Sequence, residues 1–187
     1  MFIDPKEVIA QLPLSGTEIA IDLGAGSGVY TLELAKILAD GGGKVYAVDV
    51  QQDMLTRLAH TVSDEHLSNV AFVHADIEQQ GGVHLADGMA DLVVISNTLY
   101  CTEHRDVVLL EAARLLRPRG HLLLIDWSGP YKGMGPEAAQ VVSKQLGAEL
   151  AKKAGFDVQL ELSGGDHHWV LLCVHSPSSG ASKRFAV

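Results

Sequence analysis

A strand-like apolar run that ends in an acid, then three glycines at alternate positions, then a helical pattern: this stretch constrains the fold more than any other in the chain. It reads Glu18-Ile-Ala-Ile-Asp22-Leu-Gly24-Ala25-Gly26-Ser-Gly28. Glycine tolerates positive φ and lets a ligand come close to the backbone. A helix that begins directly after such a turn offers free N–H groups. The stretch therefore predicts a strand, a bare turn and a helix N-terminus beside an acid, which together can hold a cofactor.

The spacing narrows the choice. A dinucleotide fingerprint needs G-x-G-x-x-G, with the third glycine packing helix against strand. Counted from Gly24, that glycine falls at Val29. A nicotinamide-dependent oxidoreductase is disfavoured on this ground, and a P-loop is excluded because no Gly-Lys-Ser/Thr follows.

The rest of the chain repeats the theme. Val45-Tyr-Ala-Val-Asp49 is a second apolar strand ending in an acid, about 20 residues beyond the glycine turn, where α/β folds place a carboxylate for ribose hydroxyls. Val70 to Ala75 is a third strand, ended by Asp76, and Asp91 to Ser96 is a fourth. The fourth is continuously apolar, as suits a parallel strand covered on both faces. His121 to Trp127 is a fifth. Helices are predicted between the strands over about 29–39, 52–66 and 103–116 from apolar spacing. A short helix capped by Asp4, with Pro5 at its first position, opens the chain. Residues 78–90 read as a loop, as do 127–135, and Arg117-Pro118-Arg119-Gly120 reads as a turn. Pro136 to Ala154 reads as a helix with Val142, Leu146 and Leu150 on one stripe. Phe156 to Leu162 and His167 to His175 read as a hairpin. Residues 1–175 are expected to form one domain, and the small, polar residues 176–187 a disordered tail.

These residues resemble the class I S-adenosylmethionine-dependent methyltransferases. Asp22-Leu-Gly24-Ala25-Gly26-Ser-Gly28 resembles their first motif, Ala75-Asp76-Ile77 their adenine-binding motif, and Ala112 to Ile125 their helix–turn–strand that leads into and includes the fifth strand. The resemblance covers about residues 4–175. It implies a doubly wound α/β fold: a mostly parallel seven-stranded sheet in the order 3-2-1-4-5-7-6, with a C-terminal antiparallel hairpin and helices on both faces. It implies S-adenosyl-L-methionine as cofactor. The implied binding residues are Asp22, Gly24, Ala25, Gly26 and Gly28 at the methionine end, Asp49 at the ribose, and Val50, Met54, Asp76 and Ile77 around the adenine. Ser96 and Asn97 lie at the adjoining strand end.

Methyl transfer needs mainly alignment, so no catalytic signature is required. Tyr100, His104 and Asp126 lie near strand ends and are candidate bases, each with a plainer role as wall, helix start or cap. His167 and His168 are neighbours on a presumed strand and face opposite sides, so they cannot readily share a metal; none is expected. The chain lacks the Pro-Pro-Tyr/Phe segment of amino-methylating relatives. It has only two cysteines, Cys101 and Cys173, where arsenite methyltransferases use several. The expected acceptor is a small molecule of unidentified kind. The alternative is a cofactor-binding module or partner subunit without catalysis of its own.

Bulk composition supports this reading. With 187 residues, one sizeable core is the natural outcome. The net charge of −9 argues against nucleic acid as substrate, and Arg114, Arg117 and Arg119 cluster only at one helix end. Few cysteines, no apolar stretch long enough to span a membrane and no leader-like start point to the cytoplasm.

Overall fold

A computed structural model describes residues 2–176. A short helix α1 (Pro5–Ile9) begins at Asp4, whose carboxylate accepts from the Lys6 N–H at 2.9 Å. Then come β1 (Ile19–Leu23), α2 (Val29–Ala39), β2 (Lys44–Asp49), α3 (Gln52–Asp64), β3 (Val70–His74) and β4 (Ala90–Ser96). After β4 come a 3-10 turn at Leu99–Cys101, α4 (Arg105–Leu115), β5 (Leu116–Trp127), α5 (Lys144–Lys153), β6 (Phe156–Leu162) and β7 (His168–His175).

The seven strands form one sheet in the order β3-β2-β1-β4-β5-β7-β6. The first five pair in parallel, and β7 runs antiparallel to both β5 and β6. This is the expected doubly wound topology. Alternation along the strands divides the core. Ala20, Val94, Ile125 and Val170 pack against Val8, Ile9, Leu34 and Leu38 of α1 and α2. Ile21, Val93, Leu124 and Leu171 pack against Val108, Leu109, Ala112 and Ala151 of α4 and α5. Ala47 of β2 meets Leu55, Leu58 and Val62 of α3. Continuous apolar runs such as β4 are thus explained by burial on both faces.

Three expectations are corrected. The helix expected from Pro136 begins only at Lys144: Ser143 is extended, and its hydroxyl accepts from the Leu146 N–H at 3.2 Å. Val142 belongs to the preceding loop, where its carbonyl accepts from Trp169 Nε1 at 2.8 Å. A tertiary bond there replaces the helical one. The helix expected from Glu103 begins at Arg105, after the 3-10 turn. Strand β5 starts at Leu116, but its pairing jumps from Ala90↔Leu116 to Leu92↔His121. Residues 117–120, with Arg119 at φ 65°, form the expected turn as a bulge within the strand.

The loop 78–90 is firmly tied to α4. Arg114 donates to the carbonyls of Val83 and Leu85 and to the carboxylates of Asp87 and Glu111. Glu111, only 1% exposed, accepts from the N–H groups of Gly81 and Val83. Burial works to raise its pKa, but the bonds from Arg114, Gly81 and Val83 outweigh it, and the net direction is down. Arg117 pairs with Asp91. Two of the three clustered arginines are therefore neutralised locally and supply no basic patch. The tail expected over 176–187 lies outside the described residues, apart from Ser176.

Candidate active site

Each strand-end acid occupies a carboxyl end of the parallel sheet, where ligands bind in such folds. Their partners differ. Asp22 is 2% exposed, and one of its oxygens accepts from both the N–H and the hydroxyl of Thr31, at 3.1 and 2.7 Å. It ties β1 to the first turn of α2. Burial pushes its pKa up to about 6 against those two bonds. Asp49 is 6% exposed. One oxygen accepts from the Gly26 N–H at 2.8 Å and the other from the Gln51 N–H at 2.8 Å. It therefore braces the glycine turn as well as ending β2. Since a carboxylate has about four acceptor positions, each oxygen retains room for a further donor. Asp76 accepts from the Glu78 N–H and from the Gln79 side chain, both at 2.9 Å.

The three glycines have different jobs. All take positive φ, at 79°, 53° and 79° for Gly24, Gly26 and Gly28. A Cβ at Gly24 would lie 2.8 Å from Thr98 Oγ1, and one at Gly28 only 2.1 Å from Leu58 Cδ1. These two positions are filled from within the protein. At Gly26 a Cβ would meet nothing within 4 Å. Gly26 is thus the one of the three that leaves open space at the turn, with Ala25 buried beside it. The packing partners Thr98 and Leu58 carry no sequence signal beyond strand-end and helical spacing.

Val50, His74, Ala75 and Asp76 share a hollow of about 400 Å³ with Gln79 and Gly82. Val50 is exposed, and His74 Nε2 bonds its carbonyl oxygen at 2.9 Å. Met54 is half-buried on α3, and Ile77 is 7% exposed within the core, leaving only an edge outward. Ser96 is half-buried at the end of β4. Asn97 takes φ 52°, and its side-chain oxygen is buried with no partner among the described residues. An orphaned acceptor beside a bare turn calls for a donor from outside the chain. The open Gly26, the spare capacity of Asp49, the Val50–Asp76 hollow and Asn97 together suit a nucleoside-bearing ligand with an amino group at its far end.

The candidate bases fare differently. Asp126 is fully buried, and its oxygens accept from the N–H groups of Trp127 and Tyr100 at 2.8 and 3.1 Å. Burial pushes its pKa up to about 6, and its work is to cap the 3-10 turn. Tyr100 is half-buried. Burial, then Cys101 and Asp126, raise its pKa, so it stays protonated at neutral pH. His104 is exposed at the start of α4, and its N–H donates to Glu78. Cys101 is exposed, and Cys173 is buried in the core with its thiol pushed up to about 12. Among the described residues no cluster of His, Cys, Asp and Glu could hold a metal.

Residues 14–167 match the family model described as "Methyltransferase domain". The chain belongs to this methyltransferase-domain family. It is 35% identical over 124 residues to an arsenite methyltransferase of Aquipseudomonas alcaligenes, across 64% of this chain and 35% of that protein. It is 29% identical over 133 residues to the ubiquinone/menaquinone biosynthesis C-methyltransferase UbiE of Pseudomonas paraeruginosa, across 71% of this chain and 50% of that one. It thus spans half or less of the length of these relatives. In structure it superposes on a SAM-dependent methyltransferase from Aquifex aeolicus with a TM-score of 0.84, at 25% identity, across 93% of this chain and 90% of that one. Family and fold agree with the class I methyltransferase resemblance read from the sequence.

Proposed function

We propose that the chain transfers the methyl group of S-adenosylmethionine to a small-molecule acceptor in the cytoplasm. The observation that carries this reading is the open space over Gly26, whose N–H is held by Asp49, at the sheet end that also carries Asp22, Asp76 and Asn97. Asp49 would accept from the ribose hydroxyls. Val50, Met54, Asp76 and Ile77 would surround the adenine. Asp22, Gly24, Ala25, Gly28, Ser96 and Asn97 would frame the methionine end. When bound, the cofactor supplies a methyl group on a positively charged sulfur, already activated for displacement.

The chain's own contribution is alignment. The glycine turn is fixed before binding by Asp49 and by Thr98 and Leu58, so its geometry is pre-organised. Tyr100, held by its N–H on Asp126, stands as wall and hydrogen-bond donor at the edge of the site. Asp126 holds that turn and abstracts no proton. A small acceptor is favoured over nucleic acid by the net charge of −9 and by the local neutralisation of Arg114 and Arg117.

Isothermal titration with S-adenosylmethionine and S-adenosylhomocysteine tests the reading, and absence of binding by either at millimolar concentration sinks it. The burial of Asp126 favours one rival, a cofactor-binding subunit without turnover. That rival predicts binding but no acceptor-dependent release of S-adenosylhomocysteine from any member of a broad acceptor panel.

A further inference from the structure

His168 opens β7 directly opposite Trp127 at the end of β5. It is 6% exposed, and its ring lies 4.3 Å from that of Trp127, centroid to centroid. Both of its ring nitrogens are buried, and neither has a hydrogen-bond partner among the described residues. Buried polar atoms are almost always partnered, and here two belong to one side chain. Burial, then the neighbouring His167, drive the imidazole pKa down to about 4, so the ring is neutral at pH 7 and presents one donor and one acceptor. Its neighbour His167 points elsewhere, its ring 4.1 Å from that of Tyr131 and tilted by 42°.

His168 borders a hollow of about 430 Å³ at the β6–β7 turn, shared with Ser128, Ser143, Ser163 and Trp169. That volume lies within the range of small-molecule sites. The charges at its rim, Lys144 and Glu161, pair with each other, so the wall offers hydroxyls and indole but no net charge. Strands lie about 4.8 Å apart, and β7 is two strands from β4, whose end carries Ser96 and Asn97. The hollow is therefore about 10 Å across the sheet from that end. This is too far for the reacting atom and suitable for the distal part of an acceptor.

We infer that this hollow is a distal acceptor subsite, in which His168 recognises uncharged hydroxyl groups, one ring nitrogen accepting a hydrogen bond from a hydroxyl and the other donating to a different one. A hydroxyl can serve either nitrogen, whereas an anion can only accept and a hydrocarbon can do neither. The inference rests on the methyltransferase reading for the word acceptor.

The test uses the full chain saturated with S-adenosylhomocysteine, with His168 observed by nitrogen-15 NMR and assigned from His168→Phe. The probes are phenol, trans-1,2-cyclohexanediol, benzoate and toluene. Phenol or the diol should shift the His168 nitrogen signals saturably, while benzoate and toluene leave them unmoved. Which of the two binds tells an aromatic from an alicyclic hydroxyl. His168→Phe should weaken that probe at least tenfold without altering S-adenosylhomocysteine affinity, and His168→Gln, which keeps a donor and an acceptor, should restore part of it. Signals that no probe moves, with S-adenosylhomocysteine still bound, would overturn the inference and leave ordered water as the partner. Benzoate or toluene binding as well as phenol would overturn it too. A His168 response without any S-adenosylhomocysteine binding would instead overturn the methyltransferase reading.

Discussion

The division of labour among the three glycines can be separated by adding one methyl group at a time. In Gly28→Ala the new Cβ falls 2.1 Å from Leu58 Cδ1 and 2.6 Å from Cδ2, at φ 79°. Leu58 is 2% exposed, so its side chain must shift within a filled core to make room. A left-handed non-glycine residue costs roughly 1–2 kcal/mol, and overpacking a filled core roughly 1–3 kcal/mol. The variant should lose roughly 2–5 kcal/mol of stability. In Gly26→Ala the backbone term remains, but nothing lies within 4 Å of the new atom, so the loss should be about 1 kcal/mol. Affinity should show the reverse order. On the proposed placement the Gly26 methyl would enter the ligand's space, and binding of S-adenosylhomocysteine should fall at least tenfold, which is about 1.4 kcal/mol. Urea unfolding followed by circular dichroism reads the first quantity, and isothermal titration the second. Leu58→Ala provides the internal control: combined with Gly28→Ala it should cost at least about 1 kcal/mol less than the sum of the two single changes. Wild-type affinity in a folded Gly26→Ala, or a wild-type unfolding midpoint in Gly28→Ala, would refute the assignment.

Asp49→Ala should weaken S-adenosylmethionine at least about tenfold through lost charge-assisted bonds. Because it also frees the Gly26 and Gln51 N–H groups, unfolding should reveal a loss of about 2 kcal/mol; an unchanged affinity would misplace the ribose. Arg114→Ala leaves Glu111 buried without its cation. It should cost about 3–5 kcal/mol and speed amide exchange at Gly81 and Val83, and unaltered exchange there would contradict the tie between loop and α4. Asp22 and Asp126 titrate near 6 in the folded protein, up from 3.8. Between these values the folded state holds more protons than the unfolded one, so stability falls as pH rises through the window, by about 3 kcal/mol for each group. Urea midpoints that climb steadily from pH 4.5 to 7 would contradict this.

Much of this was readable from residues alone because local pattern and tertiary role coincide. The five parallel strands are apolar runs that end in acids or at Ser96, and each acid lies where its strand emerges from the sheet. The glycine turn was legible as a place for close approach, but its partition was not: Thr98 and Leu58 reach Gly24 and Gly28 across the fold. Asp49 reads as a ligand group, and its bond to Gly26 appears only when β2 lies beside β1. The start of α5 was misread for the same reason. Val142 keeps helical spacing with Leu146 and Leu150, yet its carbonyl is claimed by Trp169, 27 residues away in the chain. His168 read only as the strand neighbour of His167, facing the other side, until Trp127 was placed opposite it.

The strand order has a consequence for how such a protein can diversify. Every residue proposed for the cofactor, from Asp22 to Asn97, precedes β5 in the chain, and the hollow beside His168 is built from residues 128–169. Position along the chain thus coincides with position across the sheet. A single contiguous exchange after β5 could replace what is recognised while the machinery that holds the methyl donor is inherited intact. Recombination between relatives would then be expected to leave viable crossovers near the bulge at residues 117–120, where the pairing register is already interrupted.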